Sequence, residues 1–120
     1  MPCRVLLVDD NRDFRAAARR LLERHAFVVV AEAATGAGGI ARAAEHRPDL
    51  VLLDIQLPDV DGFEVAERLA RLDAPIAVIL TSSLDDADFG ALVECSSALG
   101  FVPKADLSAA AIEALLATVR

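Results

Sequence analysis

The chain has no tryptophan, no tyrosine and only two cysteines among its 120 residues. Cys3 and Cys95 lack the close spacing of zinc ligands, so we expect both to be reduced thiols in a cytoplasmic protein. No stretch approaches the roughly 18 consecutive apolar residues of a membrane span, and no signal-peptide pattern opens the chain. These absences exclude a disulfide framework and predict a soluble domain with no membrane partner.

Positive charge is also scarce. The net charge of −7 argues against direct, non-specific nucleic-acid binding by this domain. Of the 12 basic residues only Lys104 is a lysine. An isolated lysine reflects either codon bias or a position that needs a compact ammonium, which a planar guanidinium does not imitate. The length suits one domain over residues 1–120, with no room for a second.

Strand-like and helix-like segments alternate along the chain. Short apolar or β-branched runs predict strands at 5–8, 27–30, 50–53, 76–80 and 101–102. Between and after them, apolar spacing and capping residues predict five helices. The first is capped by Asn11, the weaker second covers 40–46 after three glycines and before Pro48, and the third covers 63–72. The fourth is opened by Asp85 or Asp86, carries Phe89 and ends before Gly100, and the fifth is capped by Ser108.

This alternation predicts an α/β fold, a doubly wound five-stranded parallel sheet with helices on both faces. Right-handed crossovers favour the strand order 2-1-3-4-5. The last strand is then an edge strand, which suits Pro103 at its end.

Acidic residues follow two strands that this order makes neighbours. Asp9 and Asp10 end the first strand, and Asp54 ends the third. Two carboxylates ~4 Å apart at an effective dielectric of ~20 repel each other by about 4 kcal/mol. Such a cluster therefore requires a cation, a shared proton or a functional reason. Thr81 and Lys104 end the next two strands at the same edge of the sheet, where open α/β sheets bind ligands.

At these residues the sequence resembles the receiver domain of bacterial two-component response regulators, of the chemotaxis-regulator type (flavodoxin-like fold). The resemblance covers the whole chain. Its motifs are VDD at 8–10, PDLVLLDIQLPDVDG at 48–62, LTS at 80–82 and GFVPK at 100–104. The stretch FVPKADLS at 101–108 is more similar to DNA-binding regulators of the nitrate-response (LuxR) type.

The resemblance implies a phosphorelay site. Asp54 would accept a phosphoryl group from a phosphohistidine of a sensor histidine kinase or phosphotransfer protein. Lys104 and Thr81 would contact the phosphoryl oxygens, since phosphoryl transfer needs their charge neutralised. Mg²⁺ would be held by an oxygen-only set: Asp9, Asp10, Asp54 and the main-chain oxygen of Gln56.

The resemblance also implies residues that respond to phosphorylation. Thr81 and Phe101 would be the switch that alters the surface formed by the fourth helix, fifth strand and fifth helix. Gln56 and Ser83 would flank the path of the hydrolytic water and tune dephosphorylation. Many members of the family have proline, often in a cis bond, at the position of Ala105, and we expect a retained cis bond to be stabilised by the surrounding site.

Partner surfaces remain open alternatives. Arg12, Arg15 and Arg19 form a stripe on the first helix that is either the kinase-docking face or a solvated helix face. A second copy of the chain is another possible partner. Acids on the last two helices argue against a charge-paired dimer and leave the Ala-rich last helix as the better apolar surface: Asp86, Asp88, Glu94 and Glu113.

Other functions fit less well. A phosphatase with an aspartyl-phosphate intermediate needs an acid where Gln56 stands. No phosphate-binding P-loop is present, and the glycines at 36–39 follow the second strand, which argues against dinucleotide binding. His25 and His46 lie on predicted helices away from the strand ends, so a hydrolase is unsupported.

Three readings of the whole protein remain. The end at Arg120 favours a stand-alone receiver, a signalling phosphoacceptor rather than an enzyme. Alternatively, the chain is the N-terminal receiver of a transcriptional regulator whose output domain is absent here. A more remote alternative is a binding module that works without phosphorylation.

Overall fold

A computed structural model describes residues 2–72, 75–83 and 90–119. Asp85, Asp86, Asp88 and Phe89, on which the predicted start of the fourth helix depends, lie outside the described residues. Within the described part of the chain, no helix is both long and apolar enough to cross a bilayer.

Five parallel strands form one sheet in the order β2-β1-β3-β4-β5, as predicted. The strands are β1 (Cys3–Val8), β2 (Phe27–Ala33), β3 (Leu50–Asp54), β4 (Ala77–Ser82) and β5 (Gly100–Pro103). Each predicted strand is found, and each is one to three residues longer than predicted because hydrogen bonding continues past the apolar run. Pro103 ends the edge strand β5, and Gly100 begins it rather than following a helix.

Alternate residues of the central strands fill two separate cores. Val5 and Leu7 of β1 pack on one face of the sheet, while Leu6 and Val8 pack on the other. All four are at most 2% exposed. Burial on both faces explains why the strand sequence is continuously apolar rather than alternating.

The helices cover both faces. They are α1 (Arg12–Glu23), α2 (Gly36–His46), α3 (Gly62–Ala70), α4 (described over Gly90–Cys95) and α5 (Ala109–Leu116). The side chains of Asn11, Thr35, Asp61 and Ser108 accept hydrogen bonds from the first turns of α1, α2, α3 and α5. The Asn11 and Ser108 caps were both predicted from the sequence.

Helix α2 begins four residues earlier than predicted. Thr35 caps it, and the carboxylate of Asp59 accepts the N–H groups of Gly36 and Ala37 at 2.8 and 3.0 Å. A Cβ on Gly36 would lie 2.3 Å from the side chain of Val60, and one on Gly39 would lie 2.8 Å from Val8. Because these glycines have no side chain, the first turn of α2 packs directly against Val60 and Val8.

An irregularity in β2 changes which face its last residues occupy. Val5 pairs with Val29 but Leu6 pairs with Ala31, so Val30 is an additional residue in β2. Phe27 and Val29 belong to the core under α1 and α5, whereas Ala31 and Ala33 contact the opposite core. Because an extra residue reverses the alternation, Glu32 faces α1.

Directly after β5 the chain forms one turn of 3₁₀ helix, Lys104–Asp106. None of the described peptide bonds is cis, and the bond between Lys104 and Ala105 is therefore trans. The expectation of a retained cis bond is wrong. Alanine lacks the ring that makes the two isomers similar in energy, so its cis form costs about 2.5–4 kcal/mol.

Candidate functional site

Three of the predicted site residues meet at the carboxyl edge of the sheet because their strands are in register. Val8 is paired with Leu53, and Asp54 is paired with Thr81. Asp9, Asp54 and Thr81 are 2, 4 and 1% exposed, respectively, whereas Asp10 is exposed. The edge therefore combines two buried carboxylates with one that faces solvent.

The three carboxylates are close enough to share one cation. Asp9, Asp10 and Asp54 each offer an oxygen within 4.8 Å of the others. Asp9 Oδ1 accepts the Asn11 N–H at 2.8 Å, and the buried Asp9 Oδ2 faces the Lys104 ammonium. Three carboxylate oxygens this close together fit Mg²⁺, which prefers oxygen ligands and keeps several waters.

Lys104 is the cation that the structure itself supplies. Its Nζ lies 2.7 Å from Asp9 Oδ2 and 3.4 Å from Asp54 Oδ2. The same Nζ lies 4.5 Å from the centroid of the Phe14 ring, an attractive cation–π contact. Phe14 is an apolar residue of α1 that packs against the core, and its contact with the lysine was not predicted.

Burial and charge shift the pKa values of this cluster. Burial raises the pKa of Asp54, and the nearby Asp9 raises it further, although the Gln56 N–H and Lys104 act in the opposite direction. For Lys104, burial alone would lower the pKa, but its contacts with Asp9 and Asp54 raise it overall. The lysine is thus held as an ammonium, while the charged form of Asp54 is disfavoured.

The loop between β3 and α3 is held tightly beneath Asp54. The Gln56 N–H donates to Asp54 Oδ1 at 3.0 Å, and the Gly62 N–H donates to the Ile55 carbonyl at 2.7 Å. A Cβ on Gly62 would lie 2.5 Å from the main-chain oxygen of Asp54. Across this loop, the N–H groups of Ala37 and Gly36 lower the pKa of Asp59. These contacts fix where the Asp54 main chain runs.

The remaining predicted residues lie around this edge. The side chains of Gln56 and Ser83 are exposed. Phe101 is paired with Leu80 and is half-buried against the core under α2 and α3. His25 lies in the turn after α1 and His46 at the end of α2, so neither joins the cluster.

Two arginines of the predicted stripe on α1 are paired with a strand residue. Arg15 Nε lies 3.0 Å from Glu32 Oε1, and Arg19 Nη2 lies 2.8 Å from Glu32 Oε2. Burial alone would raise the pKa of Glu32, but the hydrogen bonds and charges of Arg19 and Arg15 lower it overall. No local sequence pattern predicts this contact, since it depends on the additional residue in β2. Arg12 is exposed.

Comparison with known proteins shows the family to which the chain belongs. Residues 5–116 match the family model described as response regulator receiver domain, and the chain belongs to that family. The transcription regulator BvgA of Bordetella pertussis is 39% identical over 101 residues, which cover 84% of this chain and 48% of BvgA. The chain thus spans about half the length of the curated transcription regulators it matches.

Solved structures of the same family are also similar. A LuxR-family two-component response regulator from Aurantimonas has a TM-score of 0.87 and 32% identity, over 98% of this chain and 87% of that one. The receiver domain of the response regulator NarL from Mycobacterium tuberculosis has a TM-score of 0.84 and 30% identity, over 96% of this chain and 97% of that one. The resemblance to the LuxR and nitrate-response type is therefore confirmed.

Proposed function

We propose that this protein is cytoplasmic and that Asp54 is the phosphoacceptor, which takes a phosphoryl group from a phosphohistidine of a sensor histidine kinase or phosphotransfer protein. The observation that carries this proposal is the position of Lys104 Nζ between Asp9 and Asp54, at the edge where three carboxylates converge. A buried carboxylate beside a fixed ammonium and a group of oxygen ligands is what transfer of a phosphoryl group requires.

In the proposed transfer an Asp54 carboxylate oxygen forms a bond to phosphorus as the bond from the histidine nitrogen to phosphorus breaks. Lys104, held above the Phe14 ring, is within reach of a phosphoryl oxygen on Asp54. Thr81, paired with Asp54 across the strands, would donate its hydroxyl to another oxygen. In this proposal the chain is a signalling phosphoacceptor rather than an enzyme, and it catalyses only its own phosphorylation and dephosphorylation.

Asp9, Asp10, Asp54 and the main-chain oxygen of Gln56 would hold Mg²⁺. When bound, the ion would neutralise charge on the phosphoryl oxygens. The chain's own residues set the site: Asn11 fixes one oxygen of Asp9, and the N–H of Gln56 fixes one oxygen of Asp54.

The response to phosphorylation would involve Thr81 and Phe101. Phosphorylation adds negative charge beside Thr81, whose movement would let the half-buried Phe101 turn further inward. This would alter the surface formed by α4, β5 and α5. Gln56 and Ser83 are exposed and neutral, so we expect the phosphoryl group on Asp54 to have a lifetime that is neither very short nor very long.

The test is incubation with MgCl₂ and a small acyl phosphate, followed by intact mass measurement. We expect one phosphoryl adduct on the wild type and none on Asp54→Asn or without Mg²⁺. Asp49→Asn is the matched control, because Asp49 immediately precedes β3 at the opposite edge of the sheet. An adduct that survives Asp54→Asn would contradict the proposal.

A receiver within a transcriptional regulator is the second candidate. The observation that supports this candidate is the length of the transcription regulator BvgA, which is about twice that of the matched region. The partner would then be an output domain on the same polypeptide. Sequencing the gene beyond the codon for Arg120 distinguishes this from a stand-alone receiver: a continuing frame supports the regulator, and a stop codon contradicts it.

A further inference from the structure

The main chain of Asp9 is held on both sides from β2 and α1. Its N–H donates to the carbonyl of Ala33 at 3.0 Å. Its carbonyl accepts a hydrogen bond from Arg15 Nη1 at 2.5 Å. That carbonyl belongs to the peptide that joins Asp9 to Asp10. The orientation of this peptide therefore sets the position of the Asp10 Cα, from which the carboxylate side chain extends.

Arg15 is itself fixed by Glu32. Its Nε donates to Glu32 Oε1 at 3.0 Å, while Nη1 reaches Asp9. The guanidinium is planar and rigid, so the direction of one bond constrains the direction of the other. The Arg15 side chain is 16% exposed, against 38% for Arg19, whose partners are Glu32 and Glu23.

We propose that Arg15, held by Glu32, is a positioning residue that orients the peptide between Asp9 and Asp10 for Mg²⁺ binding. The proposal rests on the proposed function, since it assigns Asp9 and Asp10 to that ion. The additional residue in β2 is part of the arrangement, because it turns Glu32 toward α1.

The direction of the change in Mg²⁺ affinity distinguishes a positioning role of Arg15 from an effect of its charge alone. An arginine near a cation site repels Mg²⁺, so removing its charge alone would strengthen binding. Loss of positioning would weaken binding, since residues that orient metal ligands typically change metal affinity by about 10–100-fold. Arg15→Lys retains the charge but lacks the fork that reaches both Glu32 and Asp9.

The experiment is calorimetric titration of MgCl₂ into the wild type, Arg15→Lys, Arg15→Met and Arg19→Met. We expect about tenfold weaker binding for both Arg15 variants, and a change within about twofold for Arg19→Met, whose charge is largely screened. A second measurement is the Asp10 amide resonance without Mg²⁺, which should shift in the Arg15 variants and stay in place in Arg19→Met.

Circular dichroism checks that each variant is folded. If Arg15→Met does not fold, the Mg²⁺ affinity of Arg15→Lys decides the test. Unchanged Mg²⁺ affinity in Arg15→Lys, or tighter binding in Arg15→Met, would overturn the positioning role alone, provided the wild type binds Mg²⁺ and is phosphorylated. A wild type that neither binds Mg²⁺ nor accepts the phosphoryl group would overturn the proposed function together with this inference.

Discussion

Two charged clusters lie on either side of the Asp9 main chain, and they balance their charges differently. The acid cluster has three carboxylates, Asp9, Asp10 and Asp54, around the single ammonium of Lys104. In the arginine–glutamate cluster two guanidinium groups, those of Arg15 and Arg19, both contact the carboxylate of Glu32, and Arg19 also lies 3.5 Å from the more exposed Glu23.

The difference appears in the pKa values. Burial and the neighbouring Asp9 raise the pKa of Asp54, whereas for Glu32 the two arginines outweigh burial and lower the pKa. A carboxylate with a raised pKa weakens the folded state at neutral pH, and one with a lowered pKa strengthens it. In the absence of a bound cation the acid cluster therefore lowers stability at neutral pH, while the other cluster supports the fold.

The largest expected effect is that of Lys104→Met on the metal-free protein. Removing the ammonium leaves Asp9 and Asp54 buried without a cation, which we expect to lower the free energy of unfolding by about 3 kcal/mol. Chemical denaturation with and without MgCl₂ measures it. Saturating Mg²⁺ at about 100 times its Kd should restore up to about 2.7 kcal/mol by binding only the folded state.

Arg19→Met is the comparison variant, because Glu32 keeps Arg15 as a partner. Its side chain is 38% exposed, so the loss should be below about 1 kcal/mol. Equal losses in the two variants would contradict the distinction between the clusters.

The next largest effect concerns the main chain beneath the acid cluster. In Gly62→Ala the new methyl group would lie 2.5 Å from the Asp54 main-chain oxygen and 2.7 Å from the Ile55 Cα. Relief of this overlap should cost about 2 kcal/mol and displace Asp54, slowing phosphorylation. Thermal denaturation and the rate of adduct formation measure both consequences.

Gly90→Ala is the matched control, since no atom of the described residues lies within 4 Å of a Cβ at this helical position. We expect unchanged stability or a gain of up to about 1 kcal/mol, because alanine favours helix over glycine. A loss in Gly90→Ala equal to that in Gly62→Ala would mean that the close contact is not the cause.

A smaller effect of opposite sign is expected for Asp54→Asn. The substitution removes a buried charge that burial and Asp9 disfavour, so stability at pH 7 should rise by something on the order of 1 kcal/mol. Because the folded pKa of Asp54 lies above its ordinary value of 3.8, the wild type regains this stability as pH falls below both values. Denaturation curves should therefore converge in acid, and a constant difference at all pH values would contradict the assignment.

These clusters also mark how far the sequence could predict the structure. The strand order and the meeting of Asp9, Asp54, Thr81 and Lys104 follow from buried apolar runs that end in polar residues. The arginine–glutamate cluster does not follow, because a single extra residue, Val30, reverses the face of Glu32 and leaves no local signature. The start of α2 was missed for a similar reason: Asp59 stabilises it from a distant loop.

The smallest effect tests the arginine–glutamate cluster directly through Glu32→Gln. Its carboxylate is 30% exposed, so the loss at pH 7 should be about 0.5 kcal/mol. The folded pKa of Glu32 lies below its ordinary value of 4.5, so the stability it contributes is present above that value and disappears as pH falls through the folded pKa. The difference between variant and wild type should accordingly vanish in acid and shrink in high salt, where partly exposed charges are screened. Persistence of the difference at low pH would indicate that Glu32 acts by packing rather than by charge.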